Sequence, residues 1–507
     1  MSDNIKIKRA LISLSDKENS LELCTVLAKH NVEIYSSDGT KSYLELNGLI
    51  VKSVSDLTEL PPLLNGRVKT LHPFIHAAIL ADKNSSQHNK ELKELNLEPF
   101  DLVVVNFYPF EKVINDDSSN ENTIIERIDI GGPTMVRSAA KNFQNVVVLS
   151  AKEQYSAFIT EIEENNGSVS LKTRRKFASE AFQRIAVYDN AISSYFNGER
   201  VFNLAYQKVQ DLRYGENQHQ SSALYGTFFE NFQQIHGKEL SYNNILDVCA
   251  AVDLIDDLED FSCVIIKHNN PCGAATRTNA FDAYSAALSC DPISAFGGIV
   301  AFNNQIDEAT AQKLNEIFLE VIILPVVTEE IKSILYLKKD RRIILYKKSK
   351  GHDLTEFRSV RGGVLVQSKN NVTYEKNKIN IVTKKKPSEK EMNDLIFAWT
   401  LVKHVKSNAI VYAKNKTAIG IGAGQMSRID SAKIAKMKAE QFNHDTQNCV
   451  VASDAFFPFA DGLETAISVG ASAVIQPGGS VRDQEVIEAA NKKNISMVFT
   501  DIRHFKH

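Results

Sequence analysis

From Arg9 onward the chain alternates short β-rich runs with amphipathic ones, and that alternation restricts the fold more than any other feature. RALISLS reads as a strand, NSLELCTVLAKHN as a helix and VEIYSS as a strand; TKSYLELNG is a short helix stopped by Gly48, and LIVKSVS a further strand. FDLVVVNFYPF is a buried strand halted by Pro109, and NVVVLS is another. Strands that alternate with helices imply an α/β fold with a parallel sheet and right-handed crossovers. A helical stretch over 172–196 and then LRYGENQHQ put a domain boundary between residues 198 and 199. The second unit, 199–507, is again α/β. In it CVIIKHNNPCGAAT reads as a strand, a polar elbow and a small-residue turn, and NAIVYAKNKTAIGIGAGQMSR as a strand pair with a glycine-rich elbow before a helix. An internal duplication, about 199–370 and 371–507, is one reading of this layout, which spacing alone does not establish.

A length of 507 residues with 43% hydrophobic and 24% charged residues suits soluble domains with real cores. The net charge of −3 argues against a chain whose main work is coating nucleic acid. In the one basic stretch, LKKDRRIILYKKSK at 337–350, the charges flank an apolar IILY, which reads as a solvated hairpin or edge strand. Six cysteines without a CxxC pair fit a reducing compartment. No run approaches 18 apolar residues and the N-terminus lacks a signal-peptide core, so the expected location is the cytoplasm, with no membrane partner.

Four stretches carry chemistry. SSDGTKSYL sets Ser36, Ser37, Asp38, Gly39 and Thr40 between a strand and a helix, where free N–H groups and hydroxyls make an anion site; alone, it is more often an ordinary helix cap. GRVKTLHP offers Arg67 and Lys69 on one side of an extended segment, with Thr70. IDIGGPTMVRSAAKN joins Asp129 to a Gly-Gly-Pro helix start and Lys141. In FSCVIIKHNNPCG an apolar strand ends in Lys267-His268. Lysine rarely closes a buried strand for packing reasons, and strand ends in α/β proteins are where ligands sit.

These stretches, with SLSDK, NFYPF, LRYGENQHQ, DPISAFGGIVAFN, RSVRGGVLVQ, SDAFFPFADG and IQPGGSVRDQEVI, occur in an order similar to the bifunctional family of purine biosynthesis. Its members carry aminoimidazole carboxamide ribonucleotide (AICAR) formyltransferase and inosine monophosphate (IMP) cyclohydrolase activities. The resemblance spans nearly the whole chain. It implies a methylglyoxal-synthase-like parallel-sheet cyclohydrolase domain (1–198) and a larger, cytidine-deaminase-like, duplicated transformylase domain (199–507). It also implies 10-formyltetrahydrofolate as co-substrate, the formylated nucleotide FAICAR as intermediate and a homodimer. No tightly bound cofactor and no metal site are expected, and room is left for a monovalent cation.

The resemblance also implies roles. His268 moves the proton, Lys267 stands beside the tetrahedral intermediate and Asn408 holds the reacting group. Arg213, Tyr214, Arg428, Phe456, Phe459, Asp461 and Arg503 bind nucleotide or folate. In the first domain Lys69, Tyr108, Asp129 and Lys141 serve ring closure, while Lys17, Ser37, Thr40, Arg67 and Thr70 hold the phosphate or its neighbours. The chain departs from the family at Asp38, where glycine is usual, and lacks the glycine after Lys17.

Three rivals compete. A zinc deaminase fails on ligand count, since Cys272 has no second cysteine two residues on and no H-x-E precedes it. A nicotinamide dehydrogenase rests on GIGAG at 420–424 alone, which lacks the third glycine. A non-catalytic nucleotide-sensing module has no reason to keep both Lys267-His268 and the Lys69/Asp129/Lys141 set.

Overall fold

The alternating runs of the first unit become five strands: β1 (Arg9–Leu14), β2 (Glu33–Ser36), β3 (Lys52–Ser53), β4 (Leu102–Asn106) and β5 (Val147–Leu149). They lie in the order β3-β2-β1-β4-β5, and every neighbouring pair is parallel. The computed structural model describes residues 4–114, 120–197, 202, 204, 206–348 and 355–507. It divides into two units, Met1–Ala205 and Tyr206–His507; the expected boundary at 198/199 lies outside the described residues. Val103, Val104 and Val105 are buried, as strands covered by helices are. The strand order reverses beside β1, so the crevice where α/β sheets take ligands opens at the carboxyl ends of β1, β2 and β4. Helices α1 (Ser20–Lys29), α2 (Asp38–Leu46), α3 (Pro73–Leu80), α4 (Gly131–Lys141) and α5 (Leu171–Asn197) cover the sheet, and all but α3 follow the pattern read above. LIVKSVS is the exception. Only Lys52–Ser53 pair, because Ser53 and Asp56 form a reciprocal cap that turns the chain into a short helix, Val54–Thr58.

The second unit holds two six-stranded sheets. The first comprises β6 (Phe232–His236), β7 (Phe261–Lys267), β8 (Asn270–Arg277), β9 (Gly298–Phe302), β10 (Leu319–Leu324) and β11 (Arg342–Tyr346), in the order β6-β11-β10-β9-β7-β8. After a separate hairpin, β12 (Thr355–Val360) and β13 (Gly363–Ser368), come β14 (Asn380–Ile381), β15 (Ile410–Ala413), β16 (Ala418–Gly422), β17 (Val450–Ser453), β18 (Ala473–Gln476) and β19 (Ser496–Phe499). Their order is β14-β19-β18-β17-β15-β16. From one edge to the other the pairings run antiparallel, parallel, parallel, antiparallel, antiparallel in both sheets. The two halves therefore share one topology, which their unlike sequences conceal.

Helices α6 (Tyr242–Asp256) and α8 (Glu389–Val402) share one buried cluster with both sheets, so Val248, Leu254, Trp399 and Leu401 pack with Val264 and Val411. Helix α7 (Ala280–Cys290) packs in a second cluster with the first sheet, and α9 (Arg428–Gln441) in a third with the second sheet. A bridge between Ala275 and Thr417 joins edge strand β8 to the residue just before edge strand β16. On each of these strands a glycine admits a helix. A Cβ at Gly273 would stand 2.1 Å from the Ala287 carbonyl oxygen, and one at Gly420 2.3 Å from that of Ala435.

Two sequence readings need correction. The basic stretch is neither hairpin nor edge, since β11 lies between β6 and β10 with Ile343 and Ile344 buried. Its cations are accommodated individually: Arg342 pairs with Glu320 at 3.0 Å, and Arg341 donates to the carbonyls of Leu314 and Ile317. The small-residue run after Cys272 is no turn but the body of β8, where Gly273, Ala274 and Ala275 suit the close approach of α7.

Candidate active sites

In the first unit the ligand-facing groups gather where the strands end. Asn106, at the end of β4, orders the loop after β1: its Oδ1 accepts from Ser15 N at 2.6 Å and Asp16 N at 3.1 Å, which sets the course of the chain into Lys17. Ser37 opens α2 without a side-chain hydrogen bond to its free N–H groups, and its Oγ lies 2.9 Å from that of Ser13. Asp38 is exposed in the first turn and does not cap the helix. The uncapped end keeps its positive character, which suits an anion. Thr40 is buried and spends its hydroxyl on Leu14, accepting from the N–H at 2.9 Å.

The second half of this site forms around Asp129. Its Oδ1 accepts from Gly132 N at 2.9 Å, so it caps α4. Burial pushes its carboxyl up, against the opposing pull of the Gly132 N–H, the Lys69 charge and the Tyr108 and Gly131 N–H groups. Thr70 presses on the helix start so closely that a Cβ at Gly131 would lie 2.5 Å from its Oγ1. Lys69, Thr70, Tyr108, Asp129 and Gly131 are thus one group. Arg67 is not on an extended segment with Lys69: a turn closed between Leu63 and Val68 swings it to Glu126, with which it forms an ion pair. Lys141 stands at the far end of the eleven-residue α4, ~15 Å along the axis at 1.5 Å per residue. There it lines a groove of about 560 Å³ with Arg137, Phe143, Arg175 and Phe182.

In the second unit the Lys267-His268 strand end is one side of a two-residue hairpin. His268 (φ 51°) and Asn269 (φ 60°) form the turn between β7 and β8, the left-handed pair that a tight hairpin demands. Asp247, on α6, accepts from Asn269 N at 2.7 Å. Burial raises its carboxyl, while the Asn269 and His268 N–H groups and the nearby His268 and Lys267 oppose the rise. The Lys267 ammonium is held by the carbonyls of Phe296 at 3.0 Å and Gly297 at 2.9 Å, and His268 is exposed.

Asn270 ties this turn to the second half of the unit. Its Nδ2 donates to the His268 carbonyl at 3.3 Å, and its Oδ1 accepts from Lys406 N at 3.0 Å. Two residues on, Asn408 donates to Gln425 O at 2.9 Å, and its Oδ1 accepts from Arg428 at 3.1 Å. Arg428 also donates to the fully buried Asp454 at 2.7 Å, whose other oxygen accepts from Ser407 Oγ. Burial raises the Asp454 carboxyl even beside that guanidinium. Asn270 therefore links the Lys267-His268 turn to Lys406, two residues before Asn408, and Arg428 holds Asn408 from the second-sheet side.

The remaining expected binders lie around this group. Asn243 and Asn244, one turn before Asp247 on α6, bond Glu216 O and Glu320, which anchors the loop carrying Arg213 and Tyr214. Phe456 is half-buried; Phe459 is exposed beneath the Arg482 guanidinium, 4.7 Å from the ring centre. Asp461, in the first turn of the helix Ala460–Ile467, accepts from Gly462 N at 2.7 Å, and Arg503 stacks on Phe505 at 4.4 Å. The sequence reading passed over Asp247, Asn270, Ser407 and Asp454. Asp454 and Asn270 do stand inside quoted motifs, and two polar groups in runs that fold as buried strand ends were the available signal. Burial pushes the Cys272 thiol up to about 12, far from the thiolate that zinc takes. Among the described residues no three His, Cys, Asp or Glu side chains are grouped to hold a metal ion.

A crevice with an open helix start in one unit, and an exposed lysine-histidine turn tied to the second sheet in the other, are the features of an enzyme that takes anionic metabolites. The chain matches the AICARFT/IMPCHase bienzyme family over residues 139–438 and the MGS-like domain family over residues 19–134. It is 46% identical to the bifunctional purine biosynthesis protein PurH of Chlorobium chlorochromatii, covering 100% of both chains, and 47% identical to PurH of Persephonella marina, covering 99% of this chain and 100% of that one. PurH of Caldicellulosiruptor saccharolyticus is also 47% identical, with the same coverage. The chain belongs to the AICARFT/IMPCHase bienzyme family, and it is a bifunctional purine-biosynthesis enzyme, an AICAR formyltransferase and IMP cyclohydrolase.

Proposed function

We propose that the two activities divide between the two units, with cyclohydrolase chemistry in the first and formyl transfer in the second. The observation that carries this is the Asn270 side chain, which bonds both the His268 carbonyl and the Lys406 N–H and so joins Lys267-His268 to Asn408. The 5-amino nitrogen of AICAR attacks the formyl carbon of 10-formyltetrahydrofolate. Its lone pair is delocalised, so it needs a base as the bond forms: His268 takes the amine proton. The Lys267 ammonium stabilises the oxyanion, Asn408 orients the reacting amide, and collapse expels tetrahydrofolate as His268 passes the proton it took to N10. In the first unit the carboxamide nitrogen of FAICAR attacks its own formyl carbon and water departs. Proximity is already covalent, so Lys69, Tyr108 and Asp129 need only polarise the formyl oxygen and relay protons. Ser37, Thr70 and Lys17 hold the phosphate at the open start of α2, with Thr40 shaping that loop from beneath.

Arg213, Tyr214, Arg428, Phe456, Phe459, Asp461 and Arg503 line the nucleotide and folate sites in this reading. Folate enters and leaves as co-substrate, no cofactor is held tightly, and room is left for a monovalent cation. No helix among the described residues is long and apolar enough to cross a membrane; a cytoplasmic enzyme without a nucleic-acid partner is the reading kept. A second copy of the chain covers the hairpin β12–β13, whose residues are all exposed, Leu365 to 62%. A lone hairpin of this kind is marginal in water. Leu365→Ser with Val366→Ser should give monomers by light scattering and reduce formyl transfer more than cyclisation.

The division is tested by assaying both steps on each variant. His268→Ala should lose formyl transfer by about 10²-fold or more and still cyclise supplied FAICAR, and Lys69→Ala should do the reverse. Equal loss of both activities from either change would contradict separate sites.

A further inference from the structure

We propose that Lys506 is a positioning residue for formyl transfer: its ammonium, brought in by the C-terminal tail, closes the carboxyl end of helix α8 and holds Lys406-Ser407-Asn408 in the shape that presents Asn408. The inference rests on the assignment of formyl transfer to the Lys267–Asn408 group.

The tail runs against that segment as a clasp. Ser407 N donates to the Lys506 carbonyl at 2.8 Å, and Lys506 N donates to Ser407 Oγ at 3.2 Å. One step earlier His504 N donates to the Asp454 carbonyl at 3.0 Å. Both contacts fall on the Ser407–Asp454–Arg428–Asn408 chain of hydrogen bonds, so the tail is bonded to the groups that fix Asn408 and not merely packed near them.

The Lys506 side chain then turns inward. Its ammonium donates to the His404 carbonyl at 3.3 Å, two residues beyond Val402, in the tight turn that continues the carboxyl end of α8 (His404 N to Leu401 O, 3.0 Å). Carbonyls at a helix end carry the negative pole of the backbone dipoles, and a cation there is favourable, more so out of water. Two neighbouring cations are matched elsewhere, Lys369 with Asp253 at 2.8 Å and Lys403 with Asp257 at 2.7 Å, and His404 Nε2 also bonds Asp257 at 2.7 Å. Burial works to raise the Asp257 carboxyl, yet its two partners outweigh it and hold it at about 2. Burial lowers Lys506 itself, with Asp253 and Glu356 pulling the other way and Lys406 and Lys369 adding to the fall. An ammonium taken from water onto a carbonyl is costly to keep for packing alone. What it holds is the helix end from which Lys406-Asn408 departs.

The test uses the full-length enzyme with Lys506→Met, which keeps the stem and removes the charge, and Lys506→Arg, which keeps the charge. Kinetic constants of formyl transfer are measured with and without added methylammonium, and cyclisation of FAICAR is measured in the same preparations. Lys506→Met should lower kcat of formyl transfer by about tenfold, within what small misplacements of reacting groups cost, with cyclisation unchanged. Methylammonium should restore part of the loss and tetramethylammonium none, and Lys506→Arg should stay near the parent. A wild-type kcat in Lys506→Met overturns the proposal. So does an equal loss in the arginine variant that no amine relieves, which marks Lys506 as packing. Asn408→Ala, assayed in parallel, separates the two readings: if it leaves formyl transfer intact, the site assignment falls whatever Lys506 does.

Discussion

The two hairpins of the second unit occupy the same place in their repeats and do different work. His268-Asn269 join β7 to β8; Asn415-Lys416 join β15 to β16, with φ of 52° and 48°. Each turn is held from below by an aspartate of a central helix. Asp247 of α6 takes the Asn269 N–H, and Asp394 of α8 takes those of Asn415 at 2.8 Å and Lys416 at 2.6 Å. The surroundings then diverge. The second turn is closed over: Thr276 N donates to the Lys416 carbonyl at 2.9 Å, and Arg277 donates to the Asn415 carbonyl at 2.7 Å. Lys414, beside it, is engaged by Asp445 at 2.6 Å. The first turn keeps His268 exposed, with Lys267 on carbonyls rather than on a carboxylate. One repeat's turn serves as a joint between sheets, and the other is free to meet a substrate. The scaffold supplies the aspartate-capped turn; the side chains at its tip set the two turns apart.

Exchanging the tips is the strongest way to break that comparison. His268→Asn gives the first turn the residue that opens the second, and asparagine accepts the left-handed backbone readily. The fold should persist while formyl transfer falls by about 10² to 10⁴-fold, the usual worth of a proton-transfer group. Asn415→His should leave both activities within about twofold, since at a structural joint only packing changes. Steady-state assays with a thermal melt of each variant decide it. Comparable activity losses at the two turns would mean that both tips meet ligand.

How far this was readable from the sequence differs between element and contact. The parallel first domain was legible because the buried valines of β4 and the amphipathic α1 follow simple periods. Lys267-His268 stood out because charge at the end of an apolar strand conflicts with packing. The shared topology was legible only as a likeness of layout between two segments, for the two halves keep strand order and pairing sense rather than residues, and pairing between distant strands leaves little local trace. β11 was misread because its flanking cations look solvated, whereas Arg341 and Arg342 are buried on carbonyls and Glu320. Arg67 was misread because a turn closed by Leu63 and Val68 depends on a backbone pairing that alternation does not announce. Asp247 lay in an ordinary helix, and its role arises only where α6 passes beneath the hairpin.

A smaller contrast should appear at the two aspartates. Asp394 gives one oxygen to each of two N–H groups, so Asp394→Asn sets an amide NH2 against one of them. Unsatisfied buried donors cost about 1–3 kcal/mol, and that loss should show in urea unfolding with formyl transfer within about twofold of wild type. Asp247→Asn keeps an acceptor for Asn269 but removes the negative charge facing His268 and Lys267. Its larger effect should fall on kcat, about tenfold, as for a group that acts through the proton-transfer residue. If instead both variants lose stability alone, Asp247 is no more than a second Asp394.

The last comparison should show no contrast. Gly273 and Gly420 each stand where an outer helix comes close to an edge strand, and an added Cβ would meet a helix carbonyl at 2.1 Å and 2.3 Å respectively. Backbone cannot yield as a flexible side chain does, so each alanine should destabilise the unit by about 1–3 kcal/mol or more. If the repeats share this packing as they share strand order, denaturant midpoints of Gly273→Ala and Gly420→Ala should fall together. The Gly273 variant carries a further consequence, because β8 leads directly from the His268 turn and a shift of the strand away from α7 also moves Asn270. Formyl transfer should therefore drop in Gly273→Ala beyond what Gly420→Ala shows at equal stability. A midpoint that moves in only one variant would mean that the helices pack differently in the two halves, and the repeat would then be one of strand order alone.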